Sequence, residues 1–347
     1  IVYEGRVAKV FADHKQLEAI EAYYKQCEEQ GANEYQIEES KKAVTHMNKI
    51  LGDPNRLSVV ARDFIEHYEK RIEEGSTVCG KAMFVCSSRE IAYDLYKQII
   101  ALRPEWEEKI GSEDQTPVER IRLVMTREKD DDPKLRELIG SDEDRKALDV
   151  LFKNPDSNFK IAIVVSMWIT GFDVPCLDTM YIDKPLQKHT LVQTISRVNR
   201  VYEGKDKGLV VDYIGIKSNM NNALKQYAGG GDMGDNVETI EQSVTMVKDE
   251  LDILRRMFHT FDYRKFSTGT PLEQLECLKH AAEFVQVTEK TQNQFMGHAK
   301  KLKSAFNLCS NHETISDKDR EDIHFFTGVR SIIYKLTKGD APDASQM

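Results

Sequence analysis

At 347 residues the chain is long enough for two or three domains that each bury a core. A hydrophobic share of 40% and a charged share of 31% exclude a disordered or fibrous protein, and no apolar run is long enough to span a membrane. A net charge of −9 argues against non-specific coating of nucleic acid, and six cysteines without a C-x-x-C pair argue against zinc or a disulfide framework and for a reducing cytoplasm.

The sequence opens on Ile1-Val-Tyr-Glu-Gly-Arg6, which has neither Met nor a signal-peptide pattern; the missing Met suggests a piece of a longer protein. Residues 1–77 read as a helical segment. Asp53-Pro54 has the form of an N-cap with proline at the first helical position, and Leu57, Val60, Phe64, Tyr68 and Ile72 follow at helical spacing up to Gly75.

Five short apolar runs come next: 82–86, 121–125, 161–165, 179–182 and 208–212. Helical stretches separate some of them, over 87–100 and 144–152. This alternation predicts a parallel α/β sheet with helices on both faces. Between the second and third runs, residues 128–144 are acidic and read as an exposed insertion. Residues 104–149 carry 15 acids against 9 Lys and Arg, whereas 184–217 carry 7 Lys and Arg against 3 acids. A basic window inside an acidic chain is a place to look for phosphate chemistry.

After Ile216 the strand pattern stops, and Gly229-Gly-Gly-Asp-Met-Gly234 reads as a flexible break. An all-α domain is expected over 235–337. Its helices are marked by Val244, Val247, Leu251, Leu254, Phe258 and Phe261, by Thr270-Pro271-Leu-Glu273 as a capping box, and by Ser316-x-x-Asp319. Residues 338–347 read as a flexible tail.

Chemistry concentrates in Gln193-Thr-Ile-Ser-Arg197-Val-Asn-Arg200, expected on a helix. Two arginines three apart on one helical face can aim two guanidinium groups at one triphosphate. Upstream, Ser166-Met-Trp-Ile-Thr170-Gly171-Phe-Asp173-Val-Pro175 leaves the third run, with Gly171 allowing close approach or positive φ. Earlier still, the strand at 82–86 ends in Ser87 and Ser88, and Thr126 ends the second run.

In order and spacing these segments resemble motifs IV, V and VI of superfamily 2 helicases and translocases, with Ser196 where many members have glycine. The resemblance implies a RecA-like motor lobe over 78–225. It assigns Arg197, Arg200 and Gln193 to catalysis and Asp173 and Gly171 to the nucleotide. It assigns Ser87, Ser88, Thr126, Ser166 and Thr170 to DNA phosphate.

No G-x-x-x-x-G-K-[ST] occurs in the sequence. Asp142-Glu143-Asp144 resembles a Walker-B end only superficially and reads as a helix start. Glu39-Ser40-Lys41 lacks the strand and Asp of a nuclease motif.

Within the superfamily, the stretches 61–71, 80–86, 101–106, 171–175, 193–200 and 209–215 are similar to the restriction (R) subunit of type I restriction-modification enzymes. That resemblance implies an ATP-dependent translocase segment working with double-stranded DNA and with methyltransferase and specificity subunits. A first motor lobe and a nuclease domain would lie elsewhere in the full chain, with ATP and Mg2+ held mainly by that first lobe. The isolated segment is expected to be inactive and to hold no metal of its own. Two other readings remain open: the second lobe of another superfamily 2 translocase, and a non-catalytic scaffold on a motor lobe.

Overall fold

The computed structural model describes residues 1–10, 45–111, 115–169, 171–186, 188–205, 207–216 and 238–338. Two compact units emerge, Ile1–Thr239 and Ile240–Met347. The expected Gly229–Gly234 break, Glu39-Ser40-Lys41, Thr170 and most of the tail lie outside the described residues.

The first unit is a parallel sheet with flanking helices, the fold class expected. Its strands are β1 (Val2–Gly5), β2 (Ala82–Cys86), β3 (Ile121–Val124), β4 (Ile161–Val164), β5 (Thr179–Asp183), β6 (Leu209–Asp212) and β7 (Glu238–Thr239). They lie in the order β3-β4-β2-β5-β6-β1-β7, every neighbouring pair parallel. All residues of β2, β4, β5 and β6 are buried, as strands covered on both faces must be. Its helices include α1 (Pro54–Glu73), α2 (Arg89–Leu102), α3 (Pro133–Ile139), α4 (Asp142–Lys153) and α5 (Lys188–Val198).

Two features depart from the sequence reading. Residues 2–5 are a strand rather than part of a helical segment, because Val2, Tyr3, Glu4 and Gly5 pair in parallel with Leu209, Val210, Val211 and Asp212. Local pattern cannot announce a partner some 200 residues away. For the same reason β7, paired with β1, falls beyond the point where strands were expected to stop. The acidic stretch 128–144 is largely exposed, as expected, and carries α3, which buries Leu135 and Ile139 and is capped by Asp132 accepting from the Lys134 amide at 2.9 Å. Asp142–Asp144 does start a helix, α4, behind a Ser141 capping box.

Helix α1 belongs to the sheet unit. Asp53 accepts hydrogen bonds from the Asn55 and Arg56 amides at 3.0 Å, and Pro54 sits at the first turn, so the start is doubly marked. Its Phe64 meets Tyr181 of β5 edge-to-face at 4.7 Å and Phe84 of β2 at 5.3 Å. Its polar residues reach the sheet as well. Arg56 Nη1 donates to Asp183 Oδ2 at 3.0 Å, Arg6 Nε donates to Asp63 at 2.6 Å, and His67 contacts Tyr181 Oη at 2.8 Å and Glu4 at 3.1 Å.

The second unit holds α6 (Ile240–Met257), α7 (Pro271–Val285), α8 (Glu289–Cys309) and α9 (Asp317–Lys338). Thr270 and Glu273 form the expected capping box. Helix α8 was missed: its seam is Phe295, Ala299, Leu302, Ala305, Phe306 and Cys309, where small residues blur the apolar period. Phe258 is fully buried and touches the rings of Phe261, Phe284, Phe295, Phe325 and Phe326.

Candidate functional site

The strand register aligns one row of hydroxyl residues. Val85, Val164 and Val124 are mutual partners across β2, β4 and β3. Ser87, Ser166 and Thr126 each lie two positions beyond these valines. Adjacent strands are about 4.8 Å apart, so the three residues leave neighbouring strand ends in one line at the carboxyl edge, where ligands of α/β sheets gather. Ser166 and Thr126 are exposed, while the Ser87 hydroxyl is buried without a partner. Ser88 does something else: its side chain caps α2, accepting from the Ile91 amide at 3.3 Å. Thr170 is outside the described residues.

Arg89, given no role in the sequence reading, reaches across this row. It follows β2, yet it is ion-paired to Asp131 and lies 3.4 Å from Glu128, both beyond β3. Because β4 runs between β2 and β3, the pairs bridge the end of the strand that carries Ser166. The only sequence signal was an arginine directly after two serines at a strand end.

The loop leaving β4 is held by aromatic packing and by its own carbonyls. Trp168 adopts a φ of 65° and stacks on Phe172 at 4.1 Å, with Phe152 of α4 at 5.4 Å. A tryptophan in the left-handed region is uncommon and needs such support. Gly171 has a φ of 73° with open space where a Cβ would be, so backbone conformation rather than crowding selects glycine there. Lys184 Nζ donates to the Val165 carbonyl at 2.6 Å at the loop's start.

Helix α5 packs Leu191, Thr194, Ile195 and Val198 inward. Arg197, in its last turn, donates from Nη1 to the Phe172 carbonyl at 3.0 Å; its Nε is buried without a partner. The helix ends at Val198, so Arg200 does not share a helical face with Arg197 as expected. Gly208 passes so close that an added Cβ would lie 2.0 Å from the Val198 carbonyl oxygen. Arg200 is instead drawn to the loop by Asp173, with Nε 3.3 Å from Oδ1, and both side chains are about half exposed (53% and 57%). Gln193 is half-buried and its carbonyl accepts from Ser196 Oγ at 2.8 Å. The loop thus gathers both arginines, one through a backbone carbonyl and one through a carboxylate. Such a cluster suits recognition of a polyanion. Among the described residues no group of three or more His, Cys, Asp or Glu could hold a metal ion, and no helix is long and apolar enough to cross a membrane.

Two family models match the chain. Residues 137–215 match type I restriction enzyme subunit R domain 3, and residues 230–347 match the C-terminal region described as type I restriction enzyme HindI endonuclease subunit-like. The HindI endonuclease subunit of Haemophilus influenzae is 34% identical over 86% of this chain and 30% of its own length. A putative MjaIXP endonuclease subunit of Methanocaldococcus jannaschii is 33% identical over 100% of this chain and 31% of its own. The chain therefore spans about three-tenths of the length of these curated relatives. Among solved structures, Saccharomyces cerevisiae Dbp5 bound to RNA and ADP BeF3 aligns over 50% of this chain and 37% of its own, at 15% identity and a TM-score of 0.32.

Proposed function

We propose, from the premise that this chain belongs to the endonuclease-subunit family of type I restriction enzymes, that its sheet unit is the arginine-bearing lobe of an ATP-driven DNA translocase. The observation that carries the reading is the attachment of Arg197 and Arg200 to the loop at Phe172 and Asp173. That loop leaves β4 at Ser166, in the middle of the hydroxyl row, so a displacement of the arginines is felt at the row and the reverse. A motor needs this coupling between nucleotide state and grip on DNA.

Arg197 and Arg200 would hold the phosphates of ATP from this side, with Asp173 positioning Arg200 or accepting a ribose hydroxyl. The buried unpartnered Nε of Arg197 fits a donor still seeking an anion. Bound ATP with Mg2+ supplies the phosphoryl group to be hydrolysed. This chain's part is to stabilise charge on that group by guanidinium donors, an effect of about 10³–10⁵ in rate in well-studied phosphoryl transfer. The row of Ser87, Ser166 and Thr126 would accept DNA phosphates, with hydroxyls donating to phosphate oxygens independently of sequence. Methyltransferase and specificity subunits, a first motor lobe and a nuclease domain complete the proposed machine.

The test is DNA-stimulated ATP hydrolysis by a full-length subunit carrying this segment. Arg197→Ala and Arg200→Ala should each abolish turnover with the fold intact, and lysine should rescue poorly because an ammonium lacks the planar fork. Near-native turnover by either alanine variant would remove that arginine from the site. The 347-residue chain by itself should show no turnover.

A further inference from the structure

Next to the hydroxyl row the chain places negative charge. Glu128-Lys129-Asp130-Asp131-Asp132 follows Thr126 after a single residue, four carboxylates in five positions at an edge proposed to take a polyanion. The segment is anchored: Arg136 of α3 donates to the Glu128 and Lys129 carbonyls at 3.2 and 2.7 Å, and Asp131 Oδ2 accepts from the Glu128 amide at 2.7 Å. Asp130 and Asp132 are exposed. Asp131 is turned inward onto Arg89, its side chain 6% exposed against 13% for the arginine. Glu128, 62% exposed, lies 3.4 Å from Arg89 Nε.

These acids leave Arg89 incompletely paired. Among the described residues its Nη1 is buried without a hydrogen-bond partner, and so is the Ser87 hydroxyl two residues earlier. Buried donors without acceptors are costly, and a phosphate oxygen can satisfy both kinds.

We propose, resting on the DNA-phosphate reading of the row, that Asp131 and Glu128 form an acidic latch that holds Arg89 until a phosphate of duplex DNA takes their place. In the DNA-free protein the two carboxylates occupy the guanidinium. On binding, Arg89 passes to a phosphate oxygen and adds a fourth contact to Ser87, Ser166 and Thr126. Because the bridge from β2 to the segment beyond β3 passes the end of β4, the exchange takes place beside Ser166. One anion replaces another, so the guanidinium is never left uncompensated, and the displaced carboxylates meet water on the side where Glu128 already stands. Affinity for DNA is then a difference, the phosphate contact less the carboxylate contact. That suits a lobe that must release the backbone as well as grip it.

The experiment measures equilibrium binding of a short fluorescent DNA duplex to a full-length subunit carrying this segment, across a range of salt. Arg89→Ala should weaken binding about tenfold and lower the slope of log affinity on log salt by about 0.9, the signature of one lost phosphate contact. Asp131→Asn, which keeps an oxygen for the Glu128 amide, should tighten binding about fivefold, and the exposed Glu128→Gln about twofold. In the Arg89→Ala background Asp131→Asn should change binding by less than about twofold, because the acid acts through the arginine. A tightening that persists undiminished without Arg89 would be plain relief of negative charge and would overturn the latch. So would Arg89→Ala binding like the unsubstituted subunit, or neither acid variant tightening. Thr126→Ala separates the latch from the reading of the row. Weakened binding there beside normal binding by Arg89→Ala sinks the latch alone. Unchanged binding there beside the expected Arg89 and Asp131 effects removes the Thr126 hydroxyl from the row and upholds the latch.

Discussion

The two units are stabilised by different physics. The sheet unit buries charge: Asp183, Asp212 and Lys81 are fully inaccessible, and Arg56 and His67 nearly so, each tied to a named partner. The helical unit buries mainly rings, with Phe258 at the centre and charge at one margin, where Lys248, Arg255 and Lys318 meet Asp319 and Asp322. Buried ion pairs are weak devices for net stability and strong ones for holding groups in register. Those in the sheet unit tie α1 to β5, through Arg56 and Asp183, and to the β1 segment, through His67 with Glu4 and Asp63 with Arg6. The helical unit needs only to be packed; the sheet unit needs to be positioned.

The contrast can be broken by substitution. Phe258→Ala should produce the largest loss of stability, about 5 kcal/mol, because a ring touching five others leaves a cavity its neighbours cannot fill. Denaturant unfolding would show it in the transition of the helical unit, with the sheet unit unaffected. Asp183→Asn should cost the sheet unit about 4 kcal/mol by removing the carboxylate that pairs with the buried Arg56 guanidinium. An unchanged sheet transition would mean that the pair has no positioning role.

Acid should sharpen the difference. Burial alone would raise the Glu4 carboxyl, but His67 and Arg6 outweigh it and hold it at about 2, below its usual 4.5. A depressed carboxyl contributes stability above pH 4.5 that is lost as pH falls toward 2, here on the order of 3 kcal/mol. Burial also lowers His67, opposed by Glu4, so this ring folds neutral. Its contribution is present above its ordinary 6.5 and declines below that. These two groups should therefore cost the sheet unit stability from pH 6.5 downward, opposed in part by Asp178 and Asp212, whose burial-raised carboxyls are relieved on protonation, and Glu4→Gln should flatten the lower part of that fall. The helical unit has its own buried carboxylate, Asp319, lowered by Lys248, Ser316 and Arg255 against the effect of burial, and should lose that contribution only as pH falls below 3.8. The smallest effect expected is Thr270→Ala, about 1 kcal/mol from the lost cap of α7, seen as a small shift of the helical transition.

What the sequence made legible follows the range of each interaction. Caps and apolar periods are local, so Asp53-Pro54, the Thr270 box and the strands at 82–86 and 161–164 were readable directly. Strand β1 was not, because its only argument is a partner at 209–212. Helix α8 hid behind alanines. At the site, the motifs marked a loop and two arginines that the structure brings together, but three details differ from the motif roles. Ser88 is a cap, Arg200 lies past the helix end and depends on Asp173, and Arg89 reaches across the row to Asp131. The Ser88 cap is local, whereas the Arg200 and Arg89 contacts are not encoded in spacing along the chain.

On the proposed function, nucleotide chemistry resides in the sheet unit and not in the helical one. The direct measurement is DNA-stimulated ATP hydrolysis by a full-length subunit in two altered forms. One ends after Thr239, which preserves the pairing of β7 with β1; the other carries Arg200→Ala. The truncated form should keep turnover within about tenfold while losing capture by a methyltransferase-specificity complex, and Arg200→Ala should fall by about 10³ or more. Turnover lost on truncation but retained by Arg200→Ala would contradict the account.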